Sequence, residues 1–127
     1  MIVVDTSALL AIVLGEPSRE ACIEALQGER ELHISAGTMT EAFVTSEHKG
    51  VGPEMALLIE ELDPLVVPVT EASARLALVA FRQYGKGRHP ARLNFGDCFS
   101  YAAAKELGCP LLFIGDDFSQ TDITSVL

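Results

Sequence analysis

Ile2-Val3-Val4-Asp5-Thr6-Ser7-Ala8-Leu9 is the stretch on which the fold turns. Three apolar residues run without alternation into a polar triplet, and a second apolar run, residues 8–14, follows. A short, unbroken apolar run of this kind reads as a strand buried on both faces. Asp5-Thr6-Ser7 then supplies side-chain oxygens that can satisfy the unpaired amides of a first helical turn, so a helix is expected through Leu14.

Working outward, the same alternation continues. Gly15 and Pro17 end the first helix, and Ser18 is expected to cap a second to about Gln27, with Glu20 and Glu24 outside. Residues 32–35 read as a second strand and 37–48 as a helix stopped by Gly50 and Gly52. Pro53 suits the first turn of a helix over 53–62, and Asp63-Pro64 breaks it. Valine-rich residues 65–69 form a third strand. Residues 71–84 read as an amphipathic helix with Leu76, Val79 and Ala80 inward and Arg75 and Arg82 outward. A loop over 85–92 leads to a helix over 95–107, in which Ala102-Ala103-Ala104 permits close approach and which Gly108 ends. Residues 111–114 are a fourth strand and 123–126 a short fifth. The order predicts one α/β domain over 1–127, with a central parallel sheet of four to five short strands covered by helices on both faces. Right-handed crossovers bring the strands' C-terminal ends to one edge, where ligands bind in open α/β sheets.

Composition narrows the function classes. With 49% hydrophobic and 21% charged residues the chain has the make-up of a folded globular protein, not of a disordered one. No apolar run approaches the ~20 residues of a membrane helix. Met1 leads into Ile2-Val3-Val4-Asp5 without a basic segment, so no secretory leader and a cytoplasmic location are expected. Cys22, Cys98 and Cys109 have no CxxC spacing, which speaks against a disulfide framework or a zinc site and for buried thiols in a reducing compartment. The net charge of −9 argues against a phosphate-bearing partner. Its distribution softens that: from Arg75 to Lys105 there are six basic residues and one acid, Asp97, enough for a local positive patch.

The acids follow the strands. Asp5 comes directly after the first, Glu41 lies in the first turns of the helix after the second, Asp97 in the first turn of the helix after the basic loop, and Asp116 and Asp117 after the fourth. Carboxylates gathered at one sheet edge repel one another. A hard divalent cation such as Mg²⁺ or Mn²⁺ removes the conflict, since it takes oxygen ligands. A cation so held in a cleft activates water and screens phosphate, which is the logic of metal-dependent phosphodiester hydrolysis. Each acid also has a plainer reading: a cap, an exposed helix residue, a first-turn acid or a turn-former.

Four motifs in order carry a family resemblance. Val4-Asp5-Thr6-Ser7-Ala8-Leu9 resembles the opening motif of PIN domains, and Ser35-Ala36 with Thr40-Glu41 the second. Asn94-Phe95-Gly96-Asp97-Cys98-Phe99-Ser100-Tyr101-Ala102 resembles the third, and Leu111-Leu112-Phe113-Ile114-Gly115-Asp116-Asp117-Phe118 the fourth, with Thr121-Asp122-Ile123 typical of one branch of VapC-type toxins. The resemblance spans the chain. It implies a three-layer α/β/α PIN-like fold and a metal-dependent endoribonuclease, the toxin of a type II toxin–antitoxin pair. Such enzymes hydrolyse single-stranded or loop RNA with an activated water, leaving 5′-phosphate and 3′-hydroxyl ends. On that basis Asp5, Glu41, Asp97 and Asp116 are the catalytic and metal-holding acids, Mg²⁺ or Mn²⁺ the cofactor, and Thr6 and Asp117 supporting residues. The fourth motif departs from the family pattern: many PIN domains place the acid three residues before the Phe, where this chain has Gly115. Asp116, nearer the strand end, is taken as the fourth acid, ahead of Asp117 and then Asp122. The resemblance also implies a VapB-type antitoxin that blocks the acidic site, often with an Arg, and a homodimer.

Lys86, Arg88 and Arg92 in the basic loop are the candidates for steering the RNA backbone, with solvated-loop and subunit-contact readings beside them. Of the histidines only His89, in that loop, has an RNA-contact reading; His33 and His48 read as structural. Tyr101, one turn after Asp97, reads as core. Two other classes compete. A phosphotransfer or receiver-like module also places acids at strand ends, but a haloacid-type phosphatase needs an Asp where Ser7 stands, and no Lys of the receiver kind follows Phe113 or Ile114. A non-catalytic PIN-like interaction protein has the shifted fourth acid in its favour and the presence of Asp5, Glu41 and Asp97 against it.

Overall fold

Val3 pairs on both sides. In β1 (Ile2–Val4) it lies opposite His33 of β2 (Leu32–Ser35) and opposite Leu111 of β4 (Leu111–Leu112), both parallel. β2 pairs in turn with β3 (Leu65–Val67), from His33↔Leu65 to Ser35↔Val67. The computed structural model describes residues 1–28 and 31–127, and its parallel sheet has the order β3-β2-β1-β4. The chain therefore builds one way from β1, through β2 to β3, and then returns to the other side of β1. That reversal opens a crevice at the C-terminal ends of β1 and β4.

Among the described residues six helices complete the layers: α1 (Thr6–Val13), α2 (Arg19–Gln27), α3 (Ala36–His48), α4 (Gly52–Leu62), α5 (Glu71–Tyr84) and α6 (Phe95–Leu107). The sheet's side chains alternate between two cores, as the pleat requires. Ile2, Val4, Ile34 and Leu112 join Leu9, Ile12, Met55 and Ile59 beneath α1 to α4. Val3, Leu111 and Phe113 join Tyr84, Tyr101, Leu93 and Phe118 on the α5–α6 side. The expected three-layer α/β/α arrangement is thus present.

Several expectations change. Residues 123–126 form no fifth strand: a single parallel bridge joins Ser125 to Leu111, through Leu111 N–H to Thr124 O and Val126 N–H to Leu111 O. β3 stops at Val67, where Pro68 has no amide to offer a ladder. β4 stops at Leu112 because the Ile114 amide donates to the Ser7 hydroxyl at 3.0 Å, not to a strand. Ser18 occupies the N-cap of α2 but makes no side-chain cap bond. In α5 the inward residues are Ser73, Ala80 and Tyr84, whereas Val79 is exposed; a 3.6-residue period from Ala80 does not bring Val79 onto the same line. Cys22 and Cys98 are buried free thiols, and Cys109 is half-buried. Among the described residues no helix is long and apolar enough to cross a membrane.

Candidate active site

Asp5 emerges from β1 into the crevice and is almost wholly buried. Its backbone amide is tied to Leu112 O at 2.9 Å. Its carboxylate caps α1: Oδ2 accepts from the Ser7 amide at 3.1 Å and the Ser7 hydroxyl at 2.7 Å. The other oxygen, Oδ1, accepts from the Ser100 hydroxyl on α6 at 2.5 Å. The cap reading and the site reading of Asp5 are therefore compatible. Capping leaves the carboxylate facing the crevice instead of using it up, because each oxygen carries two lone pairs.

Glu41, one turn further along α3 than Gly37, is half-buried. The Thr6 hydroxyl donates to its Oε1 at 2.7 Å. Burial pushes its carboxyl above the usual range, the Thr6 bond draws it back, and the Asp5 charge pushes it up again. Asp97 closes a capping box at the start of α6: its amide donates to Asn94 Oδ1 at 2.9 Å, and its Oδ2 accepts from the Asn94 amide at 3.0 Å. Burial raises the Asp97 carboxyl to about 7, against the backbone bond from Asn94; Asp5, Asp117 and Glu41 add to the rise in that order.

Asp116 and Asp117, the two candidates for the fourth acid, differ in their surroundings. Asp117, not Asp116, is among the acids that press on Asp97. Gly115, at φ 101°, turns the chain after the strand, a backbone region open to glycine. Asp116 goes into that turn, where its carbonyl accepts from the Ser119 hydroxyl at 2.7 Å. Asp122, the third choice, lies elsewhere: it accepts from Tyr101 Oη at 2.8 Å and pairs with Lys105 at 2.6 Å, fastening the C-terminal segment to α6.

Asp5, Glu41 and Asp117 are the acids whose charges bear on Asp97. Among the described residues none of them is paired with Lys or Arg. An all-oxygen, anionic and mutually repelling set of this kind fits a hard divalent cation. Among the described residues, however, no three acidic, imidazole or thiol side chains converge as a ready ligand sphere; Asp5, Glu41 and Asp97 each face hydroxyl or amide partners of their own. The chemistry fits the cation, and side-chain adjustment would have to complete the coordination.

Some of the machinery escaped the sequence reading. Thr38 and Ser100 are fully buried, with Thr38 Oγ1 and Ser100 Oγ 3.0 Å apart. Their signal was the i, i+3 spacing: Thr38 precedes Glu41, and Ser100 follows Asp97, by three residues on one helix face. Gly96 is a further such residue: a β-carbon there would collide with the Glu41 carboxylate.

The basic loop is ordered by its backbone. Lys86 N–H donates to Leu93 O at 2.9 Å and Leu93 N–H to Tyr84 O at 3.0 Å. Lys86, Arg88 and Arg92 are exposed, and the Arg88 guanidinium sits 5.6 Å from the centre of the Phe81 ring. His89 is half-buried, edge-on to Tyr84, and its Nδ1 accepts from the Ala91 amide at 3.0 Å. Tyr101 is buried as expected.

A parallel sheet with its acids at a switch point defines a class, and comparison with known proteins gives the family. The family model described as "PIN domain" matches residues 2–123. The chain belongs to the PIN-domain family, among the proteins named VapC ribonuclease. It is 41% identical over 127 residues to "Ribonuclease VapC" of Mycolicibacterium smegmatis, covering 98% of each chain. It is 43% identical over 126 residues to "Ribonuclease VapC42" of Mycobacterium tuberculosis, covering 95% of each. Among solved structures, Mycobacterium tuberculosis VapC20, titled a "Sarcin-Ricin loop cleaving toxin", superposes with a TM-score of 0.79 at 20% identity, over 99% of this chain and 98% of that one. A toxin–antitoxin complex from Klebsiella pneumoniae gives a TM-score of 0.73 at 17% identity, over 96% and 93%. At those identities the two structures speak to the fold alone.

Proposed function

We propose that this protein is an endoribonuclease dependent on Mg²⁺ or Mn²⁺ and that it acts as the toxin of a type II toxin–antitoxin pair. The carrying observation is Asp97: held by a capping box, it is pressed by Asp5, Glu41 and Asp117, and among the described residues no Lys or Arg is paired with them. The names of relatives above 40% identity support the ribonuclease reading. Asp5, Glu41, Asp97 and Asp117 are the residues that would hold the cation, with Asp117 in the place the strand-end reading gave Asp116. When bound, the cation supplies a Lewis acid that makes water a nucleophile at neutral pH and offsets phosphate charge. Ser7 and Ser100 orient Asp5, Thr6 orients Glu41, and the Asn94 amide orients Asp97. Lys86, Arg88 and Arg92 contact the RNA backbone as point charges and forks.

The partners proposed with this reading are an RNA substrate, a VapB-type antitoxin and a second copy of the chain, in the cytoplasm. An acidic crevice suits an antitoxin Arg, which pairs with carboxylates bidentately. The deciding test is cleavage of a pool of structured RNAs by purified, antitoxin-free protein with Mg²⁺, Mn²⁺ or EDTA, beside Asp97→Asn. Metal-dependent cutting that the variant lacks is the expected result. A folded protein that cuts no RNA with either ion would overturn the enzyme reading in favour of a non-catalytic PIN-like role.

A further inference from the structure

The four acids are not held by one element; two buried hydroxyls link the helices beneath them. Ser100 Oγ donates to Asp5 Oδ1. A serine hydroxyl has one proton, so in the 3.0 Å contact with Thr38 it is Thr38 that donates and Ser100 that accepts. The backbone of Thr38 reaches the other arm: its carbonyl lies 3.4 Å from the Thr6 hydroxyl, which donates to Glu41. Thr38 thus stands behind both Asp5 and Glu41 without touching either carboxylate. Both Thr38 and Ser100 have no solvent exposure, and a buried hydroxyl must find partners or cost about 1–3 kcal/mol.

We infer that Ser100 and Thr38 are positioning residues for the acidic site, fixing the rotation of the Asp5 carboxylate and thereby setting the affinity for the divalent cation. This rests on the metal-dependent reading given above. Ser7 holds Oδ2 and Ser100 holds Oδ1, so together they fix the plane of the carboxylate and the direction of its remaining lone pairs. Without Ser100 the group is held at one oxygen only and can rotate away from Asp97. Residues in contact with metal ligands typically change metal affinity 10- to 100-fold when removed.

The test is calorimetric titration of the full chain with Mn²⁺, using wild type, Ser100→Ala, Thr38→Val and Thr38→Ser, with melting temperatures recorded with and without Mn²⁺. Ser100→Ala is expected to weaken Mn²⁺ binding by roughly 10-fold or more. Thr38→Val should weaken it in the same direction but less, and Thr38→Ser, which keeps the hydroxyl, should restore it. The melting shift produced by Mn²⁺ should shrink in step with affinity. Lower metal-free stability with wild-type Mn²⁺ affinity would mean a purely structural role and overturn the inference; if Ser100→Ala does not fold, the Thr38 pair decides by the same criterion. A wild-type protein that binds no Mn²⁺ would instead overturn the metal-dependent reading and the inference with it.

Discussion

Gly96 abuts Glu41 so closely that no β-carbon fits between the α6 backbone and the Glu41 carboxylate. The glycine lets the N-terminus of α6 lie against α3, which brings Asp97 within reach of Glu41. The atom in the way is the end of a flexible side chain, so Gly96→Ala should move the carboxylate and leave the fold. Breaking the Thr6 bond and shifting one acid by an ångström is expected to lower RNA cleavage roughly 100-fold. Cleavage rate and thermal melting, measured together, check it: equal melting with reduced rate is the expected pair.

Asp97 predicts an unusual pH dependence. Its folded pKa of about 7 lies above the ordinary 3.8, so the folded state binds more protons than the unfolded between those values. Stability therefore rises as pH falls from 8 to 5, and Glu41, also raised, acts in the same direction. About 2 kcal/mol is expected over that range in metal-free protein, measured by urea unfolding at several pH values. Added Mn²⁺ should reverse the trend by favouring the ionised acids.

Asp5→Asn and Asp97→Asn should abolish cleavage while leaving circular dichroism unchanged. Asp97→Asn keeps an oxygen for the Asn94 amide and removes a repelled charge, so at pH 8 its metal-free form should melt higher than wild type. Wild-type cutting by either variant would remove these residues from the site.

Asp116 and Asp117 separate two readings of the fourth motif. Of the two, it is Asp117 that adds to the rise at Asp97. Asp117→Asn is expected to reduce cleavage and to lower the Asp97 pKa, while Asp116→Asn changes neither much. An NMR titration of the Asp97 carboxyl reports the second effect directly.

Arg92 holds a left-handed backbone at φ 59°, which costs a residue with a β-carbon about 1 kcal/mol. Arg92→Gly should therefore raise the melting temperature by a few degrees while weakening RNA binding and flattening its salt dependence by about one phosphate contact. Arg92→Ala should weaken binding equally without the stability gain. Unchanged affinity in both would take Arg92 off the RNA path.

Much of the fold is legible because it is written in local rules. Runs such as Ile2–Val4, the N-cap at Asp5, the helix start at Pro53 and the stop at Gly108 act within a few residues. They set the order of elements and the three layers, and they put Asp5, Glu41 and Asp97 after strands or in first turns. Tertiary structure decided what depends on distant groups. Ser7 takes the Ile114 amide from 107 residues away and so ends β4 early. Beyond the turn at Gly115, Asp117 and not Asp116 adds its charge to the field at Asp97. The Thr38–Ser100 contact joins residues 62 apart in sequence, and each alone is an ordinary hydroxyl on a helix. The physical reason is common to all three: a side chain's hydrogen-bond partner and the field it feels are set by which elements lie beside it, and sequence spacing measures that only within one element.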